Sequence, residues 1–207
     1  MTPCARFIAT IALGVSAATT AKAQSVPPGK VFSGPVISLR SPQSEGWRIA
    51  QSSSAGMAFA SKGAMPEDSY VAAVNFFPLE SATNPDAFVA LIKRGVDEDT
   101  SRHRFELVDI KYEYTDQRGY PCVRMNSLVN DKNAATGLFS RRELKLETRS
   151  LYCRHPQKQD NGFSVVFSHR GETLDPELDG KAQMFIDGVQ VPGHERPNLQ
   201  PTASGGD

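Results

Sequence analysis

The sequence is short of the residues from which active sites are usually built. Three cysteines, four histidines and one tryptophan are spread over 207 residues. No Cys-x-x-Cys pair and no cysteine-protease signature occurs, which removes the familiar redox and thiol-protease motifs. No Gly-x-Ser-x-Gly elbow anchors a serine nucleophile. His103, His155, His169 and His194 show neither i, i+4 nor His-x-His spacing, so no metal motif is read from them. Formal charge is zero, which gives no general attraction for nucleic acid or anionic lipid. No apolar run approaches the ~20 residues that a membrane-spanning helix needs. No internal repeat marks a solenoid or propeller.

What is present begins with an export signal. Arg6 supplies a positive charge, residues 7–18 are mostly apolar, and Ala21-Lys22-Ala23 gives a small-x-small cleavage pattern. Residues 1–23 are therefore expected to be a signal peptide, and the mature chain to be periplasmic or secreted. Cleavage removes Arg6, Lys22 and no acid, so the remaining 21 basic and 23 acidic residues leave a formal charge of −2. Residues 24–45 hold Pro27, Pro28, Gly29, Gly34, Pro35 and Pro42 and read as an extended lead-in or linker. Residues 46–191 are expected to form one domain, and residues 192–207, rich in proline and glycine, a disordered tail.

Cleavage also takes Cys4, leaving Cys122 and Cys153. Cys153 lies in Ser150-Leu-Tyr-Cys-Arg-His-Pro156, a thiol followed by two potential cations. Adjacent strand residues point to opposite faces, so Arg154 is turned away from Cys153, while His155 shares its face two positions along. That geometry builds no thiolate–base pair. Cys122 begins one expected strand and Cys153 ends another. Antiparallel pairing of the two brings the cysteines together, and an exported chain favours their oxidation to a disulfide.

Along the domain, residues 47–51 and 57–61 suggest a hairpin, and residues 70–79 a strand covered on both faces. Asn84, Pro85 and Asp86 form a helix start, followed by an apolar stripe of Phe88, Leu91, Ile92 and Val96. Residues 105–114 read as a strand whose change of phase calls for a bulge near Leu107. Arg118 and Gly119 lie in a turn into residues 122–129. Residues 130–140 look like a polar loop. Residues 141–154 alternate, with Leu144, Leu146 and Thr148 opposite Glu143, Lys145, Glu147 and Arg149. Residues 163–168 complete the strands. Asp175 as cap, Pro176 and Glu177 open a second helix, with Leu178, Ala182, Phe185, Ile186 and Val189 as its stripe.

This order predicts an α+β fold, a central antiparallel sheet flanked by helices. Gly46-Trp47 opening the first strand, the helix around Phe88, the antiparallel run and the final helix resemble the PsbP-like family. That family includes photosystem II extrinsic subunits, a eukaryotic Ran-binding protein and the bacterial envelope protein DcrB. The resemblance implies an α/β/α sandwich and an accessory or binding role, with no shared active site to carry over.

No catalytic, cofactor-binding or metal-ligating residue is assigned. His155, His169 and Glu172 remain as candidates, because Ser168-His169-Arg170-Gly171-Glu172 collects polar groups after a buried strand. The basic clusters Arg102-His103-Arg104 and Arg141-Arg142, and the tyrosines 112, 114 and 120, are weighed as interaction surfaces against solvation and packing. The expected function is that of a non-enzymatic envelope protein that binds or supports a protein partner, with no cofactor and no nucleic acid. The alternative is a hydrolase, or a metal- or small-ligand-binding protein, with its site near His155, His169 and Glu172.

Overall fold

The computed structural model describes residues 24–135 and 141–194. The expected signal peptide and nearly all of the expected tail lie outside them. Twelve elements follow one another as β1 (Val31–Ser33), β2 (Ser38–Arg40), β3 (Arg48–Ser53), β4 (Gly56–Lys62), β5 (Ser69–Pro78), α1 (Pro85–Asp99), β6 (Phe105–Thr115), β7 (Cys122–Ala135), β8 (Arg141–His155), β9 (Lys158–Gly171), α2 (Leu178–Asp187) and β10 (Val189–Gln190). Seven of the strands form one antiparallel sheet in the order β3-β4-β5-β9-β8-β7-β6.

The fold is mostly β, with 51% strand, 15% helix and two helices, which corrects the expected α+β sandwich with helical layers. The central antiparallel sheet is present; the flanking layers are not. Each face receives a single helix, and β1, β2 and β10 add a second, three-stranded sheet beside α2. The physical reason lies in legibility. Two helices with proline near their starts stand out in a sequence, whereas strands hide in polar or proline-rich stretches. Residues 24–45, expected as a lead-in, are extended but packed: Val26, Ile37 and Leu39 are buried in the main core. The expected polar loop at 130–140 is strand at least to Ala135, so β7 and β8 form a longer hairpin than the composition suggests.

Local chemistry explains the elements. Asn84 caps α1 by accepting the Ala87 N–H at 2.8 Å, with Pro85 in the first turn. Phe88, Leu91 and Ile92 bury against Phe77, Val123, Met125 and Tyr152. The bulge in β6 falls between Leu107 and Asp109. Gly56 sits at φ 152°, and a Cβ there would lie 2.2 Å from the Val74 carbonyl, so the β3–β4 hairpin requires glycine.

Helix α2 differs from its expected form at both ends. Its cap position is Glu177, with no side-chain capping bond, and Val189 has already left the helix to pair with Leu39. At its C-terminus, the Arg118 guanidinium donates to the carbonyls of Ile186 at 2.5 Å and Val189 at 2.7 Å. A cation there suits the negative end of the helix dipole. The expected turn at Arg118 and Gly119 therefore has a structural task.

Candidate functional site

Cys122 and Cys153 face each other directly in the β7–β8 register and form a disulfide with a Cα–Cα distance of 4.0 Å. The neighbouring Arg154 N–H donates to the Pro121 carbonyl. The cysteines therefore occupy a non-hydrogen-bonded pair, where antiparallel strands run closest. Both cysteines are fully buried. Arg154 lies on the other face, its guanidinium 5.5 Å from the Phe88 ring, and donates to the carbonyls of Glu80 and Gln159. The motif that looked reactive is a staple with a buried arginine behind it.

His155 is 1% exposed. Its Nε2 faces the Val36 carbonyl at 3.1 Å and its Nδ1 accepts the Gln157 N–H at 3.2 Å. Both ring nitrogens are spent on backbone, and the residue ties the N-terminal segment to the β8–β9 hairpin. His169 stands near the other end of β9, opposite Glu147 and Tyr70. Its register partner Glu147 lies eight positions along β8 from His155, or roughly 26 Å at strand rise. Glu172 is exposed beyond the strand. The structure therefore does not gather His155, His169 and Glu172 into one site.

His169 instead underlies a different feature. Its ring stacks on Tyr70 with centroids 4.7 Å apart, between Glu147 at 3.6 Å and Asp68 at 3.8 Å. Gly171 makes room for this arrangement, since a Cβ there would meet Asp68 at 2.3 Å and the imidazole at 3.0 Å. Glu147, expected on a solvated face, is buried and accepts the Asp175 N–H at 2.8 Å. Asp175 lies two residues before the cap position of α2, and its Oδ1 accepts the Glu177 N–H at 2.9 Å in the turn that leads into the helix. Its carboxylate accepts from the Tyr70 hydroxyl at 2.9 Å and from Lys181 Nζ at 2.8 Å.

Above this network lies a cleft of about 730 Å³. Trp47, Tyr70 and Phe167 form its aromatic floor, with ring centroids 5.7 to 6.5 Å apart. One wall comes from Pro42, Gln43, Ser44 and Glu45, another from Ser61 and Lys62, and the third from the start of α2, between Pro176 and Met184. The Trp47 indole N–H donates to the Ser44 hydroxyl at 2.9 Å, which fixes the N-terminal segment beside the floor. Met184 stands 55% exposed at the edge.

The electrostatics suit holding more than reacting. Burial is the largest single influence on Asp175 and Lys181 and works against charge on both. The hydrogen bonds from Lys181, the Glu177 N–H and Tyr70 together still hold the carboxyl below its usual range, and those to Asp175 and Glu177, with the nearby charge, hold the ammonium above. Burial, helped by Asp175, pushes the Tyr70 phenol up. Near neutral pH the group therefore consists of an ionised acid, a protonated amine and a neutral phenol, none poised to exchange a proton. Among the described residues, no cluster of three or more His, Cys, Asp or Glu side chains is arranged to hold a metal ion.

The basic and tyrosine clusters resolve into packing for the most part. Arg104 makes a two-pronged pair with buried Asp131 at 2.9 and 2.7 Å. Tyr120 is buried on Phe163, while Tyr112 and Tyr114 lean on the α1 cluster. The side chains of Arg141 and Arg142 lie outside those described.

Sequence reasoning missed the cleft because its walls come from four distant segments. The Tyr70–Asp175 bond spans 105 positions, and nothing local announces it. The one available signal was the lone tryptophan, read only as a strand start. A scan against protein-family models finds no match, and a search of curated proteins finds none either.

Proposed function

We propose that the chain is an exported, non-catalytic binding protein of the cell envelope, and that the cleft over Trp47, Tyr70 and Phe167 takes an apolar or aromatic segment of a partner protein. The observation that carries this reading is the aromatic floor beside a paired charge group. Trp47 and Phe167 are buried and hold the floor rigid, so the apolar surface a partner meets comes from half-buried Tyr70 and exposed Met184. Lys181 pairs with Asp175 and Glu177, and the lining holds Lys62 and Lys181 against Glu45 and Glu177, so the rim selects no net charge. Proline at Pro42 and Pro176 and the flexible Met184 give the rim apolar surface that adapts to different side chains. The export pattern at residues 1–23 supports the envelope as the place of action.

A photo-crosslinking side chain at Met184, in the intact envelope, tests the reading. The expected result is one discrete adduct, abolished by Gly180→Trp. Gly180 lines the cleft, and its Cβ position is open, so tryptophan fills the site without disturbing the fold. An adduct that survives Gly180→Trp, or no adduct at all, removes the cleft as the binding surface.

A further inference from the structure

We propose that β6 is a self-pairing edge, through which two copies of the chain join their seven-stranded sheets into one across a two-fold axis. The two outer strands of that sheet are β3 and β6. Strand β3 carries Gln51, Ser52 and Ser53 and is bridged at Arg48 by Ser25. Strand β6 is eleven residues long, and among the described residues no strand pairs with its outer side. Leu107 and Val108, 57% and 53% exposed, lie on it. An exposed edge of this kind is a template for another strand.

The backbone fixes which groups are on offer. Because Cys122 and Cys153 are a non-hydrogen-bonded pair, the peptide groups of Cys122 turn toward β6, and alternate residues of β7 do the same. Their partners Thr115, Glu113 and Lys111 turn inward to meet them. The N–H and C=O groups of Ile110, Tyr112 and Tyr114 therefore point outward, away from the sheet.

The side chains choose the register. On the face away from α1, exposed Asp109, Lys111 and Glu113 alternate in sign. Among the described residues, none of the three has an ion-pair partner. An antiparallel copy centred on Tyr112 sets Lys111 opposite Glu113 twice, Ile110 opposite Tyr114 twice, and Asp109 opposite Thr115. Centring on Lys111 sets lysine against lysine; centring on Glu113 sets glutamate against glutamate. Like charges directly opposite are unfavourable, and opposite ones favourable. Centring on Ile110 drives the bulge at Leu107–Asp109 into the new ladder, whereas the Tyr112 register uses only the regular stretch 109–115. A formal charge of zero for the whole sequence, or −2 after the expected cleavage, leaves little bulk repulsion against self-association.

Sedimentation velocity of the full chain, from low to high micromolar concentration at low ionic strength, is the test. A concentration-dependent dimer is expected. Lys111→Glu and Glu113→Lys should each raise its dissociation constant at least about tenfold, and the double swap should restore it. Asp109→Asn should leave it unchanged. Hydrogen exchange at Ile110, Tyr112 and Tyr114 in the unaltered chain reads the same edge without any variant, and should slow as concentration rises. A monomer across the whole range, a dimer indifferent to either single reversal, or exchange that ignores concentration overturns the proposal. The first of these outcomes leaves the edge to a strand from another protein.

Discussion

The two ends of the β8–β9 hairpin are made of the same residue types and behave as opposites. At one end, His155 has both ring nitrogens on backbone groups, beside Phe163 and the buried disulfide. At the other, His169 lies between two carboxylates and beneath a tyrosine, next to an open cleft. The first end is sealed by a covalent bond and apolar contact around the backbone-bonded histidine. The second is held by charge: Asp131, fully buried, takes Arg104, Arg170 and the Asn133 N–H. A histidine is therefore a structural post or part of a polar site according to what surrounds it, and the surroundings come from distant segments.

Removing the staple is the strongest way to test this contrast. The Cys122→Ala, Cys153→Ala double variant frees a loop of 31 positions in the unfolded chain. Chain entropy puts the loss at about 3.5 kcal/mol, and denaturant titration should show the same loss at pH 4 and pH 7. A strongly pH-dependent loss would erase the distinction between the ends.

Asp131→Asn probes the charged end, with an expected cost of about 2 kcal/mol at neutral pH. Burial alone would raise the Asp131 carboxyl, but Arg104, the Asn133 N–H and Arg170 outweigh it and hold it below its usual range. A depressed carboxyl stabilises the fold above its unfolded value of about 3.9 and loses that contribution as pH falls through the folded value. The gap between Asp131→Asn and the unaltered protein should thus narrow as pH drops below about 4. A gap that stays constant in acid would show the buried pair to be a matter of shape alone.

The smallest effect belongs to Tyr70→Phe. It deletes one hydrogen bond to Asp175 and keeps the ring, so thermal or denaturant unfolding should report about 1 kcal/mol. The Met184 adduct should persist in this variant, because the floor of the cleft remains aromatic. Its disappearance would shift the weight of recognition from the ring to the hydroxyl.

The seven strands of the large sheet, the two helices, the bulge at Leu107 and the disulfide were legible because each leaves a local mark, whereas β1, β2 and β10 were not. Alternation marks β6, Asn84-Pro85 marks α1, and the count of cysteines surviving cleavage marks the pair. The class of fold was misread because alternation fails where both faces are covered. In β8, Ser150, Leu151, Tyr152, Cys153, Arg154 and His155 are all buried, so no periodicity distinguishes that stretch. Burial of Glu147 likewise defeated the simple division into apolar and solvated faces. Ile37 and Leu39 sit among proline and glycine, which lowers the apparent order of a segment that supplies core. The cleft was illegible for another reason: its floor joins Trp47, Tyr70 and Phe167 through three strand pairings, and only tertiary geometry makes them neighbours.

The small sheet carries a consequence for synthesis. Strand β2 lies between β1 and β10, and its pairing of Ser38 with Gln190 joins positions about 150 apart, a contact of high closure cost. Of the described strands, β2 is among the first to be synthesised and β10 is the last. Until Val189 emerges, Leu39 lacks its strand partner, and α2, which covers the same core, is incomplete. The described fold closes only when β10 pairs, and until then the chain stays open, with apolar surface for a chaperone to hold.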